Sequence, residues 1–258
     1  MSNTVRQKLK SGDAVVGTLA GLDLPAANRI LAESGFDFIL IDTQHSFIDP
    51  TMLSRMVLQM GHKDIIVRVI SNEPWLIGQA LDIGADGVVV PMTETADDIE
   101  RAIHAAKYPP RGMRSWGSSA RADKYDGVGR YAEIANDETL VWPQIESVTA
   151  VENIDEILAI DGVDGIMIGP ADLGLTMGIL PHQWNDEHEA MIQHILDKCN
   201  EHGIPWGMFT STYEIATKWL ERGGKIATVG NELGFLQSGL TEIDANIRSL
   251  LARINTAT

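Results

Sequence analysis

The sequence has 258 residues, 44% of them hydrophobic and 22% charged, which allows a substantial core and excludes disordered and fibrous classes. Its 36 acidic against 20 basic residues give a net charge of −16, which argues against nucleic acid or an anionic membrane as a partner held by bulk electrostatics. No apolar run reaches ten residues, and residues 1–10 are polar and charged, so neither a membrane span nor a secretory leader is expected and the cytoplasm is the expected location. Cys199 is the single cysteine, which rules out an intrachain disulfide and a thiolate metal cluster.

Short apolar runs rich in β-branched residues alternate with stretches of helical periodicity along the whole chain. A strand is predicted over 14–19 and a helix over 25–34, then a strand over 38–41 and a helix over 50–60. The third strand spans 65–69; the fourth, 87–90, is followed by a helix over 95–106. A fifth strand over 140–145 precedes helical spacing over 147–159, a sixth over 165–168 precedes 187–201, and a seventh over 205–209 precedes 213–222. The eighth, 225–229, leads to a last helix from about 233 to 254. Eight strands, each followed by helical sequence, predict one α/β domain over 1–258, a (β/α)₈ TIM barrel rather than an open doubly wound sheet. An internal echo agrees: Gly-Phe-Asp-Phe-Ile-Leu-Ile at 35–41, Gly-Ala-Asp-Gly-Val-Val-Val at 84–90 and Gly-Val-Asp-Gly-Ile-Met-Ile at 162–168 each read as a helix stop, a turn Asp and a strand start. One segment breaks the rhythm, 108–130, which is rich in Gly, Ser and Arg and reads as a long functional loop around Trp116.

In such a barrel the residues at the strand C-termini share one face. Those residues are Asp42, Gln44 and His45 after strand two, Arg68 at the end of strand three, Glu146 after strand five, and Gly169, Ala171 and Asp172 after strand six. Glu146 and Asp172 supply two hard oxygen donors and leave positions open for water and substrate, which suits Mg²⁺ or Mn²⁺. With no cysteine or helical His pair nearby, a structural zinc site is not expected. The plainer alternative makes Asp172 a helix cap and Glu146 the partner of a surface arginine. His45 lies close enough to Asp42 in sequence for that carboxylate to fix its tautomer and raise its basicity. Arg68 interrupts an apolar strand, where a permanent cation needs an anionic ligand or a structural ion pair. The other histidines fall on helices and polar loops, and only His182, after strand six, is a candidate for touching substrate. No lysine occupies a strand C-terminus, and neither a dinucleotide fingerprint nor a P-loop is present, so an imine mechanism, nucleotide cofactors and pyridoxal phosphate (PLP) are not expected.

The ordered set Asp-x-x-His (42–45), Val-Arg-Val (67–69), Leu-Asp-x-Gly-Ala-x-Gly (81–87), Tyr-Pro-Pro-x-Gly-x-Arg (108–114), Gln-Ile-Glu (144–146) and Asp-Gly-Val-Asp-Gly-x-x-Ile-Gly-Pro-Ala-Asp-Leu (161–173) resembles the metal-dependent class II pyruvate aldolases. More narrowly, it is similar to the 4-hydroxy-2-oxoheptanedioate (hydroxyketoacid) aldolase family, nearly end to end. The resemblance implies reversible retro-aldol cleavage of 4-hydroxy-2-oxo acids to pyruvate and an aldehyde through a metal-stabilised pyruvate enolate. It implies Mg²⁺, Mn²⁺ or Co²⁺ on Glu146 and Asp172, chelated by the pyruvate carboxylate and keto oxygens, with Gln144 lining the pocket. Arg68 would bond the keto oxygen, and backbone N–H groups around Gly169 to Asp172 would hold the carboxylate. His45, supported by Asp42 or by Asp82 from a neighbouring subunit, would move the proton at the acceptor oxygen. The assembly implied is a hexamer built from dimers, with the last helix exchanged between subunits. Two departures stand out: Gln44 replaces a Glu found in many relatives, and Arg114-Ser115-Trp116-Gly117 replaces Arg-Gly-x-Gly. Trp116 and Phe209 therefore put large aromatics where relatives contact the aldehyde. The competing expectations are a thioester lyase related to the citrate lyase β subunit, a phosphoenolpyruvate-handling enzyme, and a non-catalytic sensor of oxo acids.

Overall fold

The computed structural model describes residues 4–117, 120–181 and 183–256, so His182 lies outside the described residues. Eight parallel strands close into a barrel in chain order: β1 (Val15–Ala20), β2 (Phe38–Asp42), β3 (Asp64–Arg68), β4 (Gly87–Val90), β5 (Leu140–Ile145), β6 (Ile166–Ile168), β7 (Trp206–Thr210) and β8 (Ile226–Asn231). Strand runs read from the sequence agree within one or two residues, because parallel strands covered on both faces are apolar throughout. The helices are α1 (Thr4–Lys10), α2 (Pro25–Glu33), α3 (Pro50–Met60), α4 (Pro74–Ile83), α5 (Ala96–Ala106), α6 (Val128–Glu138), α7 (Val148–Glu152), α8 (Ile154–Leu158), α9 (Pro170–Thr176), α10 (Asp186–His202), α11 (Tyr213–Glu221) and α12 (Glu232–Thr256).

Alternation along the strands divides the core in two. Phe38, Leu40, Ile66, Leu140, Trp142 and Met167 pack inside the barrel, whereas Ile39, Ile41, Ile65, Val67, Val141 and Ile168 pack outward against the helices. The period of two carries the inward parity on to Asp42, Arg68, Gln144 and Phe209 at the C-terminal mouth. Gly17 belongs to the interior, where a Cβ would lie 2.5 Å from the Phe38 ring; only glycine admits that ring.

Four differences from the sequence reading have physical causes. First, α1 forms although residues 1–10 read as polar, because Val5 and Leu9, one turn apart, both enter the interior cluster and close the barrel floor. Second, α4 escapes periodicity because Pro-Trp-Leu-Ile-Gly-Gln-Ala-Leu is apolar on nearly every face. Third, the helix read over 147–159 is two pieces, divided at Asn153, whose backbone ends α7 and begins α8. Fourth, the described part of 108–130 is not one long loop. A 3-10 turn (Ala120–Tyr125) and the start of α6 lie in it, and Tyr108, Ala122, Tyr125 and Tyr131 form a small core of their own. Arg121 is buried there, 3.3 Å from Asp86 and with its guanidinium 5.3 Å from the Tyr125 ring centroid, which explains why an arginine-bearing segment is ordered.

α12 is exposed along its length. Leu236, Leu240, Ile243, Ile247, Leu250 and Ile254 recur at intervals of four and three, the spacing of a coiled-coil seam, and each is at least 45% exposed. No helix among the described residues is long and apolar enough to cross a membrane.

Candidate active site

At the C-terminal mouth a cavity of about 530 Å³ is lined by His45, Arg68, Gln144, the 169–172 turn, Trp184 and Phe209, among others. Its volume suits a small organic acid with a few placed polar groups. Asp42 and Arg68 are register partners on adjacent strands, and their side chains form a bidentate pair, Nε to Oδ1 at 2.9 Å and Nη2 to Oδ2 at 2.6 Å. Both are buried, and the guanidinium carbon sits 4.6 Å from the Phe209 ring centroid. A fork-to-carboxylate pair stacked on an aromatic face is how a buried arginine is tolerated. The structural ion pair therefore exists, and it leaves Nη1 of Arg68 without a hydrogen-bond partner among the described residues.

The Asp42 carboxylate is committed differently from the sequence reading. Besides Arg68 it accepts the backbone N–H groups of Gln44 (3.0 Å) and His45 (3.4 Å), and among the described residues no hydrogen bond joins it to the His45 ring. Asp42 thus shapes the turn that presents His45 rather than fixing its tautomer; the register partner took the carboxylate first. His45 is exposed and lines the mouth.

Glu146 lies just behind the cavity wall. Its Oε1 accepts the Met92 N–H at 2.6 Å, and its Oε2 accepts from Gln144 Nε2. Met92 holds a left-handed φ of 54° to make that bond, strain of the sort that gathers at functional sites. Burial pushes the Glu146 carboxyl above its usual range; the Met92 N–H offsets part of this, while the negative charge of Asp172 adds to it. A Cβ at 169 would lie 2.7 Å from Glu146 Oε2, so glycine there keeps the cradle open.

Neither capping alternative holds. Gly169 is the N-cap of α9 and no side chain caps that helix, and Glu146 has no ion-pair partner among the described residues. Asp172, half-buried on the first turn, has no hydrogen-bond partner for its carboxylate among the described residues. Gln144 Oε1 is buried without a partner as well. Two carboxylates that repel each other, a repulsion the nearby Arg68 charge offsets only in part, fit a hard divalent cation beside an orphaned amide oxygen, through the lone pairs still open on each oxygen. The turn expected to hold a substrate carboxylate offers fewer donors than the sequence suggested: the Gly169 N–H goes to the Ile145 carbonyl at 3.0 Å and Pro170 has none, leaving the N–H groups of Ala171 and Asp172.

Asp82 and Trp116 are not brought to this cavity within the chain. Asp82, on α4, pairs with Arg114 at 2.5 Å in a second depression beside Trp75 and Met113. Trp116 leans on Tyr108, with ring centroids 4.8 Å apart. Sequence reasoning missed Met92, whose contribution is a backbone N–H, and Trp184, which follows no strand. Asn231, which also lines the mouth, ends β8 and could have been found by the strand-end rule.

Known proteins resemble this chain along nearly its whole length. Residues 19–238 match the family model described as HpcH/HpaI aldolase/citrate lyase. The chain is 33% identical over 243 residues to the 5-keto-4-deoxy-D-glucarate aldolase of Salmonella arizonae, covering 93% of this chain and 95% of that one. Among solved structures it is similar to an HpcH/HpaI aldolase/citrate lyase family protein from Burkholderia cenocepacia, with a TM-score of 0.89 at 28% identity over 96% of this chain and 100% of that chain. It is also similar to the HpcH/HpaI aldolase from Desulfitobacterium hafniense, with a TM-score of 0.86 at 30% identity over 94% and 96% of the two chains.

Proposed function

The chain belongs to the HpcH/HpaI aldolase/citrate lyase family and is a carbon–carbon lyase; from that premise we propose that it cleaves 4-hydroxy-2-oxo acids reversibly to pyruvate and an aldehyde at the barrel mouth. One observation carries the reading: unpartnered Asp172, the orphaned Gln144 oxygen and Arg68 with its spare nitrogen line one cavity, and buried Glu146 stands just behind its wall, bonded to Gln144. The Salmonella relative, a 5-keto-4-deoxy-D-glucarate aldolase, supports the same substrate class.

Cleavage of the C3–C4 bond requires a base at the C4 hydroxyl and a place for the negative charge that reaches the C2 oxygen. Glu146 and Asp172, with Gln144 beside them, would hold Mg²⁺, Mn²⁺ or Co²⁺, which would supply positive charge for that oxygen. Arg68 donates from Nη1 to the same oxygen, and because Asp42 and Phe209 already hold the guanidinium, no reorganisation is needed as charge develops. Binding the enolate oxygen more strongly than the parent ketone lowers the barrier. The N–H groups of Ala171 and Asp172 hold the substrate carboxylate. His45 takes the C4 hydroxyl proton during cleavage, a proton added at C3 of the enolate completes pyruvate, and in the reverse direction C3 gives up that proton and His45 returns its own to the aldehyde oxygen. Phe209 and Trp116 remain the residues assigned to the aldehyde, Trp116 from a neighbouring subunit, and Asp82 of a neighbouring subunit supports His45. The exposed seam of α12 supports its exchange between subunits of a hexamer built from dimers.

The test is pyruvate release from a panel of 4-hydroxy-2-oxo acids by metal-stripped protein reloaded with single cations. Activity should vanish on stripping and return with Mg²⁺, Mn²⁺ or Co²⁺. Activity that survives stripping and is trapped by borohydride points instead to a lysine imine and contradicts the proposal.

A further inference from the structure

Asp172 stands on a helix of only seven residues, too short to hold its own geometry, and its carboxylate has no hydrogen-bond partner among the described residues. Something else must fix the turn that carries it. On one side the Gly169 N–H is tied to the Ile145 carbonyl of β5 at 3.0 Å. On the other, the Pro170 carbonyl accepts from Nε2 of His188 at 2.7 Å, a bond that reaches across from α10. A carbonyl only accepts, so Nε2 carries the proton.

His188 is 1% exposed. Its backbone N–H is capped by Asn185 Oδ1 at 3.0 Å, which sets where the third residue of α10 stands. Gly174 lies beside the ring: a Cβ there would be in ordinary contact with Nε2 at 3.5 Å and would crowd the Ile179 carbonyl at 3.1 Å. The imidazole also lies against Trp184, ring centroids 4.9 Å apart, and Trp184 is itself part of the cavity wall. The ring thus lies between Trp184 in the wall of the mouth and the Pro170 carbonyl, which stands one residue after Gly169 and two before Asp172.

We infer that His188 is a positioning residue for the cation site, holding the 169–172 turn through Pro170 so that Asp172 stands in register with Glu146. The inference rests on reading Glu146 and Asp172 as the cation ligands. Groups that orient metal ligands from behind typically cost about 10- to 100-fold in metal affinity when removed, whereas a histidine that only fills the core would alter stability and leave affinity alone.

The experiment measures Mn²⁺ affinity of the stripped, full-length protein by water-proton relaxation, without substrate. H188L fills similar volume without a donor and should bind Mn²⁺ about 10- to 100-fold more weakly. H188Q, whose amide nitrogen reaches roughly as far as Nε2, should stay within about threefold of the unsubstituted protein. Should H188L fail to fold, H188N gives the same contrast with H188Q, because its shorter amide falls short of Pro170. Equal affinity in H188L, or in H188N and H188Q, overturns the positioning role while leaving the cation site intact. An unsubstituted protein that takes up no Mn²⁺ at all overturns the cation site and this inference together.

Discussion

The two ends of the barrel each hold buried charge, and they treat it in opposite ways. At the N-terminal floor, acids just before or at the strand starts meet cations brought by the surrounding segments. Lys124 lies 2.8 Å from Asp86 and 3.3 Å from Asp64, Arg121 lies 3.3 Å from Asp86, and Arg6 lies 2.6 Å from Asp164. Asp64 also accepts the Val5 N–H at 2.8 Å, which ties α1 into the network. At the C-terminal mouth Asp42 is matched by Arg68 and Asp23 by Arg55, whereas Glu146 and Asp172 have no ion-pair partner among the described residues and feel each other's charge. Charge matched in place is architecture, and charge left unmatched at a cavity wall is a binding site.

Three substitutions sharpen that contrast. The largest effect on stability belongs to the floor. Asp86→Asn leaves Arg121 and Lys124 facing each other, and denaturant unfolding should show a loss of about 3–5 kcal/mol. The turnover of the folded fraction should stay within about twofold of the parent, since the floor only supports the mouth. Arg68→Ala is the counterpart at the mouth. Losing one oxyanion donor removes about 10² to 10³ in rate, to be read from pyruvate release at saturating Mn²⁺; a variant retaining more than half its rate contradicts the assigned role.

The smallest effect has the opposite sign. Burial raises the folded-state affinity of Glu146 for its proton, so its favourable contribution is complete below the unfolded carboxyl pKa and is lost as pH rises through the folded value. At neutral pH without metal the ionised carboxylate is therefore a net loss. Glu146→Gln should leave metal-free protein as stable as the parent or more stable by up to about 1 kcal/mol, and should flatten the acid side of the stability profile. A loss of stability at neutral pH would place Glu146 with the floor, as a structural acid.

Much of this was legible in the sequence, for a reason specific to barrels. The strand runs survived because both faces are buried, and the inward parity that runs through Phe38, Leu40 and Asp42, and through Leu140, Trp142 and Gln144, delivers the chemistry to the mouth. Register was not legible: that Asp42 stands opposite Arg68 follows only from strand stagger, and it decided which partner won the Asp42 carboxylate. Backbone donors were invisible for the same reason, Met92 above all, since side-chain type says nothing about which N–H a turn will aim. α1 was lost because two apolar residues in seven make no periodic signal. His188 and its contact with Pro170 join segments 18 residues apart, and nothing in the chain between them marks that meeting.

The central claim is that Glu146 and Asp172 share one divalent cation on which turnover depends. Calorimetric titration of Mn²⁺ into stripped protein tests it most directly, with Glu146→Gln and Asp172→Asn titrated beside the parent. One ion per chain should bind the parent, each substitution should weaken it by more than about tenfold, and pyruvate release should fall in the same order. Mn²⁺ bound equally well by all three proteins, or full turnover by a variant that binds none, would contradict it.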